Sequence, residues 1–251
     1  MTRAIPLCSR SAVRLLALGC GLATGLAAPL AGAQQQQLAV DIYSQFTYVK
    51  KGFPLKLGTG HSNAGGLAAK PYEKLKRQPK YLSQRVLHGY LPLGRGPDRR
   101  ISFVLDDLDN ANWSIWVDRN NNEDLTDDGG PIRNQGSGKM AAAFDVTIDV
   151  MDRRGVQQRP YRVWFFVNEK DGEFRPRFYA RCHYGAWIRI GAERYKAIAF
   201  ENRGHDGLFK NDGLWIDLDH NGKLERANEH FADGAKVTFG DYTYTLKLAY
   251  P

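Results

Sequence analysis

The stretch Phe144-Asp145-Val146-Thr147-Ile148-Asp149-Val150 alternates apolar and polar side chains without a break. A period of two puts Phe144, Val146, Ile148 and Val150 on one face of a strand and the polar residues on the other. Working outward, short segments of the same kind recur at 39–48, 101–105, 113–117, 161–167, 174–180, 187–190, 195–200, 214–216, 236–239 and 242–248, rich in Val, Ile, Phe, Tyr and Trp. Turn-formers separate them, among them Gly155, Asp171-Gly172, Gly185, Gly191 and Gly240-Asp241. No long helical periodicity with caps at both ends is present. The pattern predicts a mostly β chain, an antiparallel sandwich or two related β subdomains.

The first residues read differently. Arg3, Arg10 and Arg14 stand without an acid, an apolar run rich in Leu, Ala and Gly follows over 15–30, and Ala31-Gly32-Ala33 closes it. A basic start, a short apolar core and small residues before the cut predict a secretory signal peptide over 1–33. A transmembrane anchor is the alternative, but the run is short and small-residue-rich for a span of ~20 apolar residues. Lipoprotein processing at Cys20 is another, and Ala17-Leu18-Gly19 suits it poorly. The mature chain is then exported, periplasmic or extracellular, without a transmembrane anchor. It has a disordered lead-in at 34–37 and a β-rich domain over 38–251. Removing 33 of the 251 residues leaves 218 and lowers the net charge from +8 to +5. That modest balance speaks for solubility and says little about partners. Cys8 and Cys20 leave with the signal, so Cys182 has no intramolecular partner. No disulfide framework braces the loops. A bound metal would serve.

Two loops have the residues for it. The second reads Asp217-Leu218-Asp219-His220-Asn221-Gly222-Lys223-Leu224-Glu225. Oxygen-bearing side chains at alternate positions converge in a tightly wound loop, Gly222 permits the sharp turn, and Leu224 anchors the loop to the core. Calcium takes six to eight oxygen ligands, so the expected ligands are Asp217, Asp219, Asn221, the Lys223 carbonyl, Glu225 and Glu229. Glu229 is preferred to Asn228 because a carboxylate can close a site bidentately. The first loop reads Asp118-Arg119-Asn120-Asn121-Asn122-Glu123-Asp124-Leu125-Thr126-Asp127-Asp128. Asp118, Asn120, Asn122 and Asp124 are its expected calcium ligands, closed by Asp128 or Asp127. Glu123 stands where glycine is expected and predicts a strained or looser turn. The acidic stretches at 201–212 and 106–109 read as surface loops.

The surroundings of the two loops echo each other. Over 101–128 and 195–229 the order is strand, acidic stretch, Trp-bearing strand, Asp/Asn loop, with Ser114-Ile115-Trp116-Val117-Asp118 answering Gly213-Leu214-Trp215-Ile216-Asp217. An ancient duplication is the preferred reading. Both loops resemble the DxDxDG-type calcium loops of EF-hands, dockerin modules and thrombospondin-type repeats, although a strand and not a helix precedes each. The order over 195–248, ending in Glu229-x-Phe231 and Gly240-Asp241-Tyr242-x-Tyr244, is similar to uncharacterised exported bacterial β-rich proteins. The resemblance implies structural calcium (Ca2+) in a secreted β protein and names no reaction.

No catalytic pattern emerges. The six histidines form no HxH or HExxH, and no GxSxG, Walker loop or dinucleotide fingerprint occurs. Cys182-His183 reads as a buried thiol beside an exposed imidazole. Gly58-Thr59-Gly60-His61-Ser62 reads as a flexible loop, and most of the five tryptophans as core. The basic stretch over 70–100 is either a solvated loop or a patch for an anionic envelope component or glycan; it lacks the aromatic–basic interleaving that stacks bases. The sequence thus predicts a non-enzymatic binding or structural module of the cell envelope with calcium in both loops. The alternative is a calcium-stabilised secreted hydrolase acting on polysaccharide or peptide.

Overall fold

Strand-forming segments become strands where they can pair and bury one face, and the computed structural model, which describes residues 36–50, 60–202 and 204–249, shows how they do so. In chain order the elements are β1 (Gln36–Val40), α1 (Ile42–Gln45), β2 (Thr47–Val49), β3 (Ser62–Asn63), β4 (Leu87–Pro92), β5 (Arg100–Asp106), β6 (Ser114–Val117) and β7 (Ile132–Arg133). They continue with β8 (Met140–Asp152), β9 (Gly155–Lys170), β10 (Glu173–Ala180), β11 (His183–Ile190), β12 (Glu193–Ala199) and a 3₁₀ turn (Phe209–Asp212). The chain ends through β13 (Leu214–Ile216), α2 (Arg226–Glu229), β14 (His230–Phe231), β15 (Lys236–Phe239) and β16 (Tyr242–Leu248).

Four sheets result, ordered β1-β16-β15, β3-β10-β9-β8, β14-β13-β12-β11-β2 and β4-β5-β6-β7. All neighbours are antiparallel except β1 and β16. The longest hairpin, β8–β9, pairs residue by residue from Met140 with Val167 to Asp152 with Gly155. Its inward residues, such as Phe144, Val146, Ile148, Val163 and Phe165, are almost fully buried. They join one apolar cluster with Leu38 of β1, Phe103 of β5, Ala197 of β12, Leu214 of β13 and Leu246 of β16. Each such side chain contributes about 1.5–3 kcal/mol by leaving water. The chain is mostly β in a sandwich-like arrangement, and its main core draws on all four sheets. Among the described residues no helix is long and apolar enough to cross a membrane.

Several expectations are corrected. The signal peptide and the first half of the lead-in lie outside the described residues. Gln36 and Gln37 belong to β1, where they pair with Tyr244 and Thr245; the free edge of β16 satisfies their backbone. The segment 39–48 is not one strand, because the Asp41 carboxylate accepts the amides of Tyr43 and Ser44 and caps α1. Ser62 lies in β3 opposite Phe178, not in a flexible loop, and its Oγ is 3.0 Å from Nδ1 of buried His205. His183 is buried along with Cys182. Burial pushes the Cys182 thiol up to about 12, which leaves it protonated and inert.

Two buried carboxyls fasten the loops that precede the Asp/Asn loops. Asp106 closes β5 and accepts the amides of Leu82 (2.7 Å), Ser83 (3.0 Å) and Asp107 (2.7 Å), the Ser83 hydroxyl (3.1 Å) and the Trp116 indole (3.0 Å). Glu201 follows β12 and accepts the Tyr161 hydroxyl and the Gly207 amide. Burial, with the nearby charges of Asp206 and Asp212, raises the Glu201 carboxyl well above the usual range. A carboxylic acid raised in the folded state holds more protons there than when unfolded. Its share of stability is therefore present at low pH and falls as pH rises above about 4.3. Glu201→Gln is expected to flatten that fall and to leave stability at neutral pH within about 1 kcal/mol of wild type or above it. Urea titrations across pH check this.

Candidate metal centres

The two Asp/Asn loops grow from equivalent places. Asp118 follows β6, which pairs with β5; Asp217 follows β13, which pairs with β12. A two-residue strand after each loop, β7 or β14, pairs back onto β6 or β13. The first aspartate is buried in both. The Asp118 amide donates to the Ser102 carbonyl and the Asp217 amide to the Lys196 carbonyl, each at 2.9 Å.

The windings correspond as well. Left-handed φ falls on the fourth and sixth residues of each loop: Asn121 at +61° and Glu123 at +65°, His220 at +60° and Gly222 at +74°. Glycine adopts this conformation at no steric cost, whereas Glu123 pays on the order of 1 kcal/mol for it. The sixth amide donates to the first aspartate, Glu123 to Asp118 Oδ2 (2.9 Å) and Gly222 to Asp217 Oδ2 (3.1 Å). Successive side-chain oxygens then accept the amide two residues on: Asn120 from Asn122 and Asn122 from Asp124, Asp219 from Asn221 and Asn221 from Lys223. Each of these alternate oxygens is thus held by the backbone amide two residues on, in the same order in both loops.

The loops close with the same bond from different positions. In the second, Glu229 accepts the Leu218 amide at Oε1 (2.7 Å) and the Glu225 amide at Oε2 (2.8 Å). In the first, Asp128 Oδ1 accepts the Arg119 amide at 2.8 Å. Leu224 packs under the second loop with Ile198, Phe200 and Trp215.

The carboxylates gather differently. Asp217, Asp219 and Glu229 bring one oxygen each to within 4.8 Å of one another. Asp217 Oδ1 is buried and has no hydrogen-bond partner among the described residues. A buried orphan oxygen of this kind costs free energy unless something satisfies it. Glu225 is not one of the three; it stands exposed at the start of α2. Lys223 is exposed and its amide is held by Asn221.

In the first loop no comparable triad forms among the described residues. Asp124 turns outward to Arg77 (3.0 Å), and Asn120 and Asn122 donate to Asp127 (3.3 and 2.8 Å). Burial raises the carboxyls of Asp118 and Glu123. Burial, together with the charges of Asp118 and Asp127, pushes Asp128 up to about 6. Asp128 Oδ2 and Glu123 Oε1 are buried without partners among the described residues, while Glu123 Oε2 accepts the Ser102 hydroxyl at 3.0 Å. Sequence reasoning missed Arg77 and Ser102, because no local signal links them to the loop. Part of the basic stretch is spent here and nearby: Lys76 on the Asn122 carbonyl, Arg77 on Asp124, Lys74 on Asp98 and Arg85 on Asp109.

The earlier acidic stretches serve their own loops. Asp206 accepts the Leu208 amide and the Asn211 side-chain amide, Asp212 accepts the Asn202 amide, and Asp107 pairs with Arg133.

Neither a family model, nor a characterised protein, nor a solved structure matches this chain. The functional reading rests on the geometry.

Proposed function

We propose that this chain is an exported, non-enzymatic binding or structural module whose second Asp/Asn loop holds a structural calcium ion, with the first loop a weaker site. One observation carries the reading: Asp217 Oδ1, buried and without a partner among the described residues, belongs to a residue that clusters with Asp219 and Glu229, an all-oxygen set of the kind calcium prefers. The matching turns of the first loop support a second, weaker site, since Arg77 already meets the charge of Asp124. Export rests on the basic–apolar–small pattern of residues 1–33. An anionic envelope component or glycan is the partner suggested by the basic stretch, and its internal ion pairs reduce the charge left for one.

The energetics suit a brace and not a switch. At ~1 mM free ion and a site of ~0.1 mM affinity, linkage adds about 1.4 kcal/mol. Two such sites add about 3 kcal/mol to a typical net stability of 5–15 kcal/mol. For a chain of this size, one site corresponds to a rise of about 3–6 °C in Tm. Thermal melts in calcium, magnesium and chelator should show that rise with calcium and a smaller one with magnesium. Asp217→Asn should abolish most of it and Asp118→Asn less. Equal melting in calcium and chelator would remove the proposal, as would a calcium shift that Asp217→Asn leaves intact.

A further inference from the structure

A cleft of about 700 Å³ opens on the outer face of the sheet formed by β8, β9 and β10. Trp164 and Phe166 project into it from β9, out of phase with the buried Val163 and Phe165. Tyr179 of β10 stands directly across from Trp164, and its ring centroid is 6.3 Å from that of Phe166. On the other side the partners of Phe166 and Trp164 are Ala141 and Ala143 of β8, too small to cover the rings. All three rings are half-buried.

The opposite wall is a built structure. Asn134 donates to the Gly138 carbonyl (2.8 Å) and accepts the amides of Gly136 (3.1 Å) and Ala141 (2.9 Å), which fixes the turn between β7 and β8. Gly136 lies so close that a Cβ there would come within 2.9 Å of Ala141 Cβ and 3.4 Å of the Trp164 ring. Ser137, Lys139, Asn168 and Glu169 supply the polar lining.

The lining combines a rigid apolar floor with hydrogen-bonding groups whose one cation and one anion cancel. A phosphate-bearing strand would meet the Glu169 carboxylate. A purely apolar occupant would bury Lys139 and Glu169 without partners, at a cost. A sugar ring matches both parts: its C–H face is apolar, and each hydroxyl on its edge both donates and accepts. We infer that this cleft binds a saccharide, with Trp164, Phe166 and Tyr179 against the C–H faces and Asn168, Glu169 and Lys139 on the hydroxyls. Among the described residues Glu169 is the one carboxylate in the lining, whereas glycoside hydrolysis ordinarily uses a pair, so the lining suits holding a sugar. Arg177 of β10, 2.8 Å from His61 Nε2, and Arg181 just after it, over Trp164 at 5.1 Å, extend the face beyond the lining. None of the lining residues belongs to either Asp/Asn loop, so the inference does not depend on calcium.

The test is calorimetric titration of the whole chain, in calcium and in chelator, with tetrasaccharides of neutral hexose, N-acetylhexosamine and uronate type. At least one type is expected to bind with a Kd of about a millimolar or tighter. Trp164→Ala should weaken that binding by about tenfold or more. Asn168→Ala, at an exposed position, should weaken it about threefold with an unchanged Tm, which separates a lost contact from a lost fold. Neutral and uronate arms tell whether Arg177 and Arg181 take part. Failure of all three types to bind would overturn the inference. So would saccharide binding that both variants leave unchanged, or uptake of a single-stranded oligonucleotide with steep salt dependence in place of any saccharide.

Discussion

Asp106→Ala is expected to cost about 3–5 kcal/mol, the largest effect of any single polar substitution considered. The carboxylate is fully buried and accepts bonds from three amides, a hydroxyl and an indole. Removing it leaves these donors without a partner beneath the loop that leads from β5 to β6, and each buried orphan costs on the order of 1–3 kcal/mol before relaxation. Burial by itself would raise the Asp106 carboxyl, but the N–H donors of Leu82, Trp116, Asp107 and Ser83 outweigh it and hold the group below the usual carboxylate range. A lowered carboxyl contributes stability that is present above its unfolded value of about 3.9 and is lost as pH falls through the folded value. Asp106→Asn should therefore lose less than Ala at neutral pH and approach wild type as pH falls below the ordinary carboxylate range. Chemical denaturation at neutral and acid pH separates these outcomes; an Ala variant within about 0.5 kcal/mol of wild type would show that the network carries no weight.

Trp215→Ala is expected to cost about 3–5 kcal/mol and to weaken cation binding at the second loop. The indole is 2% exposed. It stacks on Phe200 at 5.7 Å and lies 4.5 Å from the His230 ring. It also packs with Ile198 and Leu224 in a small cluster of its own. That cluster sits between β12 and the loop, so the residue that anchors the loop, Leu224, and the strand that delivers Asp217 lean on the same ring. Losing it should loosen the relative placement of Asp217 and Glu229 as well as the fold. Trp215→Phe, which keeps most of the packing, should recover much of both. A Trp215→Ala protein that melts lower yet keeps full calcium affinity would separate the core from the site.

How much of this is legible in the sequence depends on what each residue needs from far away. Alternation is enough for β8 and β9, because one face of each packs on the core and the pattern is local. It says nothing about β7 and β14, which are two residues long, and Gln36 and Gln37 become strand only because β16 offers an edge. The convergence of Asp217 and Asp219 is readable, since alternate residues of one tight loop share its inside. Glu229 is readable as the next carboxylate, whereas Glu225, exposed at the start of α2, lies outside the cluster. The outward turn of Asp124 is not readable, being set by Arg77 from a segment that approaches from another part of the chain. Trp164 and Phe166 are hidden for a different reason: apolar residues on both faces of β9 mask the alternation. Their phase, matching Arg162 and not Val163, is the one signal that sets them outside.

The measurement that tests the central claim most directly is calorimetric titration of calcium into the chain lacking residues 1–33, beside the same titration of Asp217→Ala. Saturable heat with a Kd near 10⁻⁴–10⁻³ M, absent or sharply reduced in Asp217→Ala, is the predicted result. Heat that is absent up to about ten times that concentration, or unchanged by the substitution, would contradict it, and 217–229 would be a polar turn with no ion to hold.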